Sequence, residues 1–273
     1  MITKLACIIC NQNNWISTCK NLIRCKYCGL TRSTDQHFLQ NFKKLYNTKY
    51  YQGRDYYNYQ LEEKALTKNF KHRLSIIRAY KNKGVMLDIG CAYGYFLKEA
   101  RKIGFNGYGI EINPQTSNLA HQNSGCHVYT GNLIQVQFKH KKFDVVTLFD
   151  VIEHLPEPQK YLQKIYRLLK PGGILVIETG DINSPLAKLQ KGSWRLIIPQ
   201  IHLFYFSTTT LTHLLLKTGF KILHYQKVGF WRTVGQIGYR SFGQIIINLL
   251  PKKLLRLPLY LNTGDLVLLI AQK

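Results

Sequence analysis

Val85-Met-Leu-Asp-Ile-Gly90-Cys-Ala-Tyr-Gly94-Tyr-Phe-Leu97 holds an apolar run of strand length, a break at small residues and the start of a helix pattern that continues to Ile103. Gly107-Tyr-Gly-Ile-Glu111 follows as a second short strand, ending in a carboxylate 21 residues beyond Gly90. A glycine turn between strand and helix lets a ligand come close to the backbone, and an acid closing the next strand can grip ribose hydroxyls. Strand, turn, helix, strand, with the acid at this distance, predicts a nucleotide-binding α/β unit.

The chain beyond it repeats the alternation. Phe143-Asp-Val-Val-Thr-Leu-Phe-Asp150 reads as a strand buried on both faces. Pro156 and Pro158 break the chain, and Tyr161, Leu162, Ile165, Leu168 and Leu169 form one apolar helix face. Pro171-Gly-Gly173 stops that helix before a further strand, Ile174-Leu-Val-Ile-Glu178. Alternating signals of this kind predict a parallel sheet covered by helices on both sides, with ligands at the carboxyl ends of the strands.

Upstream, Cys7-x-x-Cys10 and Cys25-x-x-Cys28 form two knuckles 14 residues apart. Two residues between cysteines let both thiolates of a turn reach one ion, and two such turns complete a tetrahedron. A structural zinc ribbon is expected, with Cys19 as a bystander. Such a closed four-thiolate site leaves no open position for a substrate. Six tyrosines (Tyr46, Tyr50, Tyr51, Tyr56, Tyr57, Tyr59) come next, interleaved with Lys43, Lys44, Lys49 and Arg54. They suit a lid over a small-molecule pocket, packing between ribbon and main domain, or a stacking platform for single-stranded nucleic acid. Helical spacing of apolar residues then runs from Leu61 to Tyr80, closed by Asn82 and Gly84.

The 273 residues carry 38 Lys+Arg against 14 Asp+Glu, a net charge of +24. Residues 1–84 hold 16 basic and 4 acidic side chains, 85–180 hold 10 and 8, and 181–273 hold 12 and 2. The basicity therefore sits on the flanks of a near-neutral middle, where it suits phosphate-bearing partners. With 45% apolar residues the chain has ample material for a core. No stretch reaches the ~18–20 apolar residues of a membrane span. Seven cysteines, four in paired spacing, fit a reducing cytoplasm with bound metal better than a disulfide framework.

Residues 84–180 resemble the class I S-adenosylmethionine-dependent methyltransferases. The likeness rests on Leu87-Asp-Ile-Gly-Cys-Ala-Tyr-Gly94, Glu111, Phe149-Asp-Val-Ile-Glu-His-Leu155 and Leu169-Lys-Pro-Gly-Gly173, in that order. At lower specificity it reaches the subgroup with an N-terminal four-cysteine ribbon, through His202-Leu-Phe-Tyr-Phe-Ser207 and the final Gly264-Asp-Leu-Val-Leu-Leu-Ile-Ala271. The resemblance implies a Rossmann-like, doubly wound, seven-stranded, mostly parallel sheet. The layout would be a ribbon over 1–40, a tyrosine-rich connector and helix over 41–84, and a methyltransferase domain over 85–273 with an inserted lobe at 230–263.

It also implies S-adenosylmethionine as cofactor: Asp88, Gly90, Ala92 and Gly94 would shape the loop and the methionine end. Glu111 would take the ribose hydroxyls, Asn132 and Leu133 would edge the adenine, and Asp150 would lie near the sulfonium. Ala92 stands where many members carry glycine, a change of one methyl group. For an acceptor hydroxyl a base is needed, and His202, in the aromatic segment expected to wall the acceptor pocket, is the first candidate; His154 is the second.

The lobe contains Ile245 to Leu261, rich in leucine and isoleucine, with three cations and breaks at Pro251 and Pro258. It reads either as a lid over the acceptor pocket or as a surface that meets an anionic membrane over 240–261. The expected function is methyl transfer to a small or lipid-linked acceptor, at a hydroxyl of a sugar or nucleotide sugar of surface polysaccharides, in the cytoplasm or at the inner membrane face. The rival readings are an RNA methyltransferase, for which the base-amine Asn-Pro-Pro-Tyr type of motif is missing after the fourth strand, and a non-catalytic protein that holds the cofactor.

Overall fold

The computed structural model describes residues 5–35, 62–139, 142–242 and 251–273. The six tyrosines from 46 to 59 lie outside the described residues. The central sheet grows from the quoted stretch: β4 (Gly84–Ile89) feeds α2 (Tyr95–Lys102), then β5 (Phe105–Glu111), α3 (Pro114–Ser124) and β6 (His127–Thr130). After that excursion the chain crosses to the other side of β4. There β7 (Phe143–Phe149), α4 (Pro158–Leu168) and β8 (Leu169–Gly180) follow. The sheet is completed by β10 (Lys221–Lys227) and β13 (Leu266–Gln272).

The seven strands lie in the order β10-β13-β8-β7-β4-β5-β6. The strands β6, β5, β4, β7 and β8 pair in parallel, while β13 runs antiparallel between β8 and β10. The order reverses between β4 and β7, and their carboxyl ends therefore open into a crevice. Val145, Val146 and Leu148 of β7 and Leu266 through Ala271 of β13 are buried, as strands covered on both faces must be.

One expectation shifts at the Leu169–Gly173 segment. It pairs as part of β8 and does not merely stop a helix: Leu169 lies opposite Phe143, and the register then slips so that Ile174 meets Val145. A side chain at Gly173 would lie 2.9 Å from the Lys170 carbonyl and 3.0 Å from that of Phe143, so the bulge tolerates only glycine there.

The knuckle segment builds a second sheet. β1 (Trp15–Ser17), β2 (Leu22–Cys25) and β3 (Thr31–Ser33) pair antiparallel, and β3 continues onto β9 (Phe204–Tyr205) with Thr31 opposite Tyr205. Cys7, Ile9, Cys25 and Leu30 share one apolar cluster with Leu203, Phe206 and Leu211 of the main body. Helix α5 (Pro185–Gln190) follows β8, and Lys217 at the end of α6 (Thr208–Lys217) donates to the carbonyl of Ile9 at 2.8 Å. Ser207 and Thr210 form a reciprocal cap that starts α6 where β9 ends.

Between β10 and β13 the chain forms the lobe: β11 (Phe230–Thr233), α7 (Val234–Phe242), α8 (Lys252–Leu255) and β12 (Pro258–Leu261). β11 and β12 pair antiparallel. The lobe is stitched to α1 (Glu63–Arg78) by polar groups. The Asn69 amide donates to the Trp231 carbonyl at 3.0 Å and accepts from the Trp231 N–H at 2.6 Å. Glu62 accepts from the Thr233 N–H at 3.2 Å and from its hydroxyl. Helix and lobe thus form one roof above the crevice. No helix among the described residues is long and apolar enough to cross a membrane.

Arg73 of α1 closes the roof onto the sheet through a two-point pair with Glu178 of β8: Nε to Oε2 at 2.5 Å and Nη2 to Oε1 at 2.9 Å. Both side chains are buried. Removing one partner strands the other charge away from water, at a cost of about 3–5 kcal/mol. Chemical denaturation of Arg73→Met should show a loss of that size, and the double variant Arg73→Met/Glu178→Leu should recover most of it.

Candidate active site

One cavity opens at the carboxyl ends of β4, β5 and β7, and its wall includes Asp88, Gly90, Ala92, Glu111, Asn132, Leu133 and Asp150. Seven of the eight residues expected to hold the cofactor are therefore brought together. Gly94 is not on that wall. It starts α2 in the left-handed conformation, φ 75°, and a side chain there would lie 2.6 Å from the Ala120 carbonyl, so it serves the close approach of α2 and α3.

The loop after β4 is held by β5. The N–H groups of Gly90 and Cys91 both donate to the Ile110 carbonyl, at 2.8 and 3.0 Å. Glu111 accepts from the Ala92 N–H through Oε2 and from the Asn113 N–H through Oε1, each at 3.0 Å. Its two oxygens are thus fixed in direction by backbone N–H groups from two different turns. Ala92 adopts φ 46°. The methyl group that replaces a glycine hydrogen here costs about 1–2 kcal/mol of backbone strain, a cost of conformation and not of lost space.

The carboxylates differ by environment. Asp88 is buried and accepts from the Thr147 hydroxyl at 2.6 Å; burial, helped by the charge of Glu111, pushes it up to about 7. Asp150 sits just past β7 at φ 54°, its N–H bonded to the Glu178 carbonyl. The residue stays exposed to solvent through the cavity, yet desolvation by the surrounding walls and the charge of Glu178 push it up to about 6 against the pull of Arg232, Arg195 and Arg73. Asn132 donates to the Tyr161 hydroxyl at 2.5 Å and accepts from the Ile134 N–H at 2.9 Å. Any bond from its oxygen to an adenine amino group must use the second lone pair.

The far end of the cavity is built by the roof: Phe70 and Arg73 from α1, Phe230 and Arg232 from the lobe, with Phe149, Glu178 and His154 below. Here the two histidines change places relative to the sequence expectation. His154, on a short 3-10 turn over Ile152–His154, reaches the cavity wall, whereas His202 stands behind it with ring centroids 4.7 Å apart. The cause is backbone pairing: the Leu203 N–H bonds to the Glu153 carbonyl and draws the His202 segment under the turn. His154 Nδ1 meets the Ile201 carbonyl and His202 Nδ1 the Leu196 carbonyl, both at 2.8 Å. These bonds require Nδ1–H and leave the lone pair on Nε2. Burial pushes His154 down to about 4 and His202 to about 3, so both rings are neutral at ordinary pH.

Arg73, Arg232 and Tyr161 were not singled out as site residues by sequence reasoning, because each reaches the cavity from an element placed there only by packing. Away from the cavity, the sulfurs of Cys7, Cys10, Cys25 and Cys28 lie within 4.8 Å of one another, with Cys7 and Cys28 3.4 Å and Cys10 and Cys25 3.5 Å apart. A tetrahedral zinc with bonds of about 2.3 Å needs sulfurs about 3.8 Å apart, and the set fits it.

Residues 57–225, more than half of the chain, match the methyltransferase-domain family. The chain belongs to that family. Similar curated proteins include the ubiquinone biosynthesis O-methyltransferases of Colwellia psychrerythraea, 29% identical over 100 residues (34% of this chain, 41% of that one), and of Actinobacillus pleuropneumoniae, 32% over 104 residues (34% and 44%). The matched part spans less than half the length of these relatives. Among solved structures, a magnesium protoporphyrin IX methyltransferase of Synechocystis with bound SAH shares the fold at TM-score 0.53 and 15% identity, over 87% of this chain and 95% of that one. A SAM-dependent methyltransferase of Thermotoga maritima does so at TM-score 0.51 and 19%, over 79% and 99%.

A carboxyl group whose folded-state pKa is raised contributes most below its unfolded pKa, and the contribution is lost as pH rises through the folded value. For Asp88 that window runs from about 4 to about 7. Asp88→Asn keeps the acceptor for Thr147 and removes the ionisation. Its melting temperature without cofactor should exceed the parent's at pH 8 and converge with it near pH 4.

Proposed function

We propose that this protein transfers the methyl group of S-adenosylmethionine to a hydroxyl oxygen of a small, ring-bearing acceptor. The observation that supports the reading is one cavity lined both by Glu111 and the loop after β4 and by the aromatic rings of Phe70, Phe149 and Phe230. The donor brings an already activated methyl on a sulfonium. Glu111 would orient its ribose, Asn132 and Leu133 its adenine, and Asp88, Gly90 and Ala92 the methionine end, with Asp150 beside the sulfonium. Much of the acceleration then comes from aligning acceptor oxygen and methyl, which is worth up to about 7–11 kcal/mol.

The relatives named for ubiquinone biosynthesis favour oxygen and a small molecule. The sugar or nucleotide-sugar acceptor expected from the subgroup resemblance finds no counterpart among them. Activation of the acceptor belongs to the His154 end of the cavity, with His202 behind it. Zinc held by Cys7, Cys10, Cys25 and Cys28 would fix the knuckles that carry β3 to β9, and so the segment that bears His202. The lid reading of the lobe is supported by Phe230 and Arg232 on the cavity wall. Its outer side exposes Leu254, Leu257, Leu259 and Tyr260 beside Lys253 and Arg256, the surface we assign to peripheral contact with anionic lipid.

Calorimetry with S-adenosylhomocysteine should show binding to the parent and its loss in Glu111→Lys. An unaltered isotherm in that variant would overturn the cofactor assignment. With labelled donor, mass spectrometry of panels of catechols and nucleotide sugars should find product among the former. In His154→Ala, turnover should fall by about 10²–10⁴-fold, with S-adenosylhomocysteine affinity kept.

A further inference from the structure

Behind the acceptor end, Glu153, His154 and His202 bring a carboxylate oxygen and two imidazole nitrogens within 4.8 Å of one another, and all three side chains are buried. We propose that these residues form a second metal centre, distinct from the four-cysteine cluster, that takes a divalent first-row transition metal at the wall of the acceptor cavity. The inference deepens the methyl-transfer reading and rests on it for its role, though not for its existence.

Three independent observations converge. First, Glu153 is 5% exposed and its Oε2 has no hydrogen-bond partner among the described residues. Burial and the charge of Asp150 push the Glu153 carboxyl up to about 8; its buried oxygen without a partner is costly, and a cation in place of the proton would satisfy it. Second, both histidines give Nδ1 to backbone carbonyls at 2.8 Å. Metal-ligating histidines characteristically donate the far ring N–H to such a group, which fixes the tautomer and presents Nε2 to the ion. Third, the frame is rigid. Glu153 and His154 share one 3-10 turn, and the Leu203 N–H clamps the His202 segment to the Glu153 carbonyl at 2.9 Å.

Bonds of about 2.0–2.2 Å place the donors of a tetrahedral or octahedral ion about 3–4.3 Å apart, within reach of small side-chain movements. Two imidazoles and one carboxylate suit zinc, iron, cobalt or manganese, whereas magnesium and calcium prefer an all-oxygen shell. Three protein ligands leave coordination positions open, the arrangement of reactive sites and not of structural ones. Because His154 lines the cavity, an open position faces the acceptor, and the centre would select acceptors with a metal-binding oxygen. The same reading reassigns the two histidines: nitrogens that ligate an ion are not free to take a proton.

The test counts metal in the full-length protein, purified, stripped by chelation, reconstituted with Zn2+ and dialysed. The parent should retain one more equivalent of zinc per chain than Glu153→Gln and His202→Ala. Glu153→Gln preserves shape and keeps the comparison valid where the alanine variant fails to fold. Reconstitution with Co2+ should leave the thiolate charge-transfer absorption of the cysteine cluster in every variant, while the weaker ligand-field bands of a nitrogen–oxygen site vanish with Glu153→Gln. Equal zinc content in the parent and Glu153→Gln would overturn the centre, leaving His154 to act on the acceptor alone. S-adenosylhomocysteine calorimetry on the same samples separates the two claims: retained cofactor binding with equal metal counts defeats only the metal centre, and lost cofactor binding in the parent defeats the methyl-transfer reading.

Discussion

The pair between Arg73 and Glu178 is the constraint on which the cavity depends. One partner lies on a helix that precedes the sheet in the chain and the other at the carboxyl end of β8. In water such a pair is worth little, but here both groups are buried, and each is tolerable only while the other is present. The two-point geometry therefore fixes where α1 lies over the crevice. Asn69 and Glu62 on the same helix then fix β11, which brings Phe230 and Arg232 to the cavity. A cavity walled by the loop after β4 on the sheet and by aromatic residues of α1 and the lobe follows from that chain of contacts.

The cofactor end follows a different logic. Glu111 bonds two backbone N–H groups, one from the loop after β4 and one from the turn into α3. Its orientation is set before any ligand arrives, which lowers the ordering cost of binding. Asp88, which is buried, and Asp150, which lines the cavity, are both held toward the protonated form. Carboxyls held in this way mark a place where a bound cation would relieve an electrostatic cost.

The four-cysteine segment is not an ornament hung on the front of the chain. Its third strand continues into β9, and its core residues pack with Leu203 and Phe206 on either side of that strand. Order in the knuckles therefore reaches the segment carrying His202, and through the Leu203–Glu153 hydrogen bond the turn carrying His154. The cysteine cluster and the turn that carries His154 are therefore linked by backbone pairing through β3 and β9.

Sequence alone determined the strand–turn–helix unit at residues 84–111, the alternation that makes the sheet parallel, and a set of eight candidate residues of which seven line one cavity. These were legible because a short chain segment carries each: an apolar run, a glycine turn and an acid at fixed spacing hold their meaning wherever the chain goes next. The four cysteines were legible for the same reason. Tertiary structure alone decided which histidine faces the cavity, that Gly94 serves helix packing, that Leu169–Gly173 joins β8, and that Arg73, Arg232 and Tyr161 reach the cavity wall. Each depends on a partner far along the chain, such as Arg73 on Glu178 or His202 on the clamp from Leu203 to Glu153. Local pattern cannot express which distant residue will neutralise a buried charge, since that is settled only when packing removes the water between them.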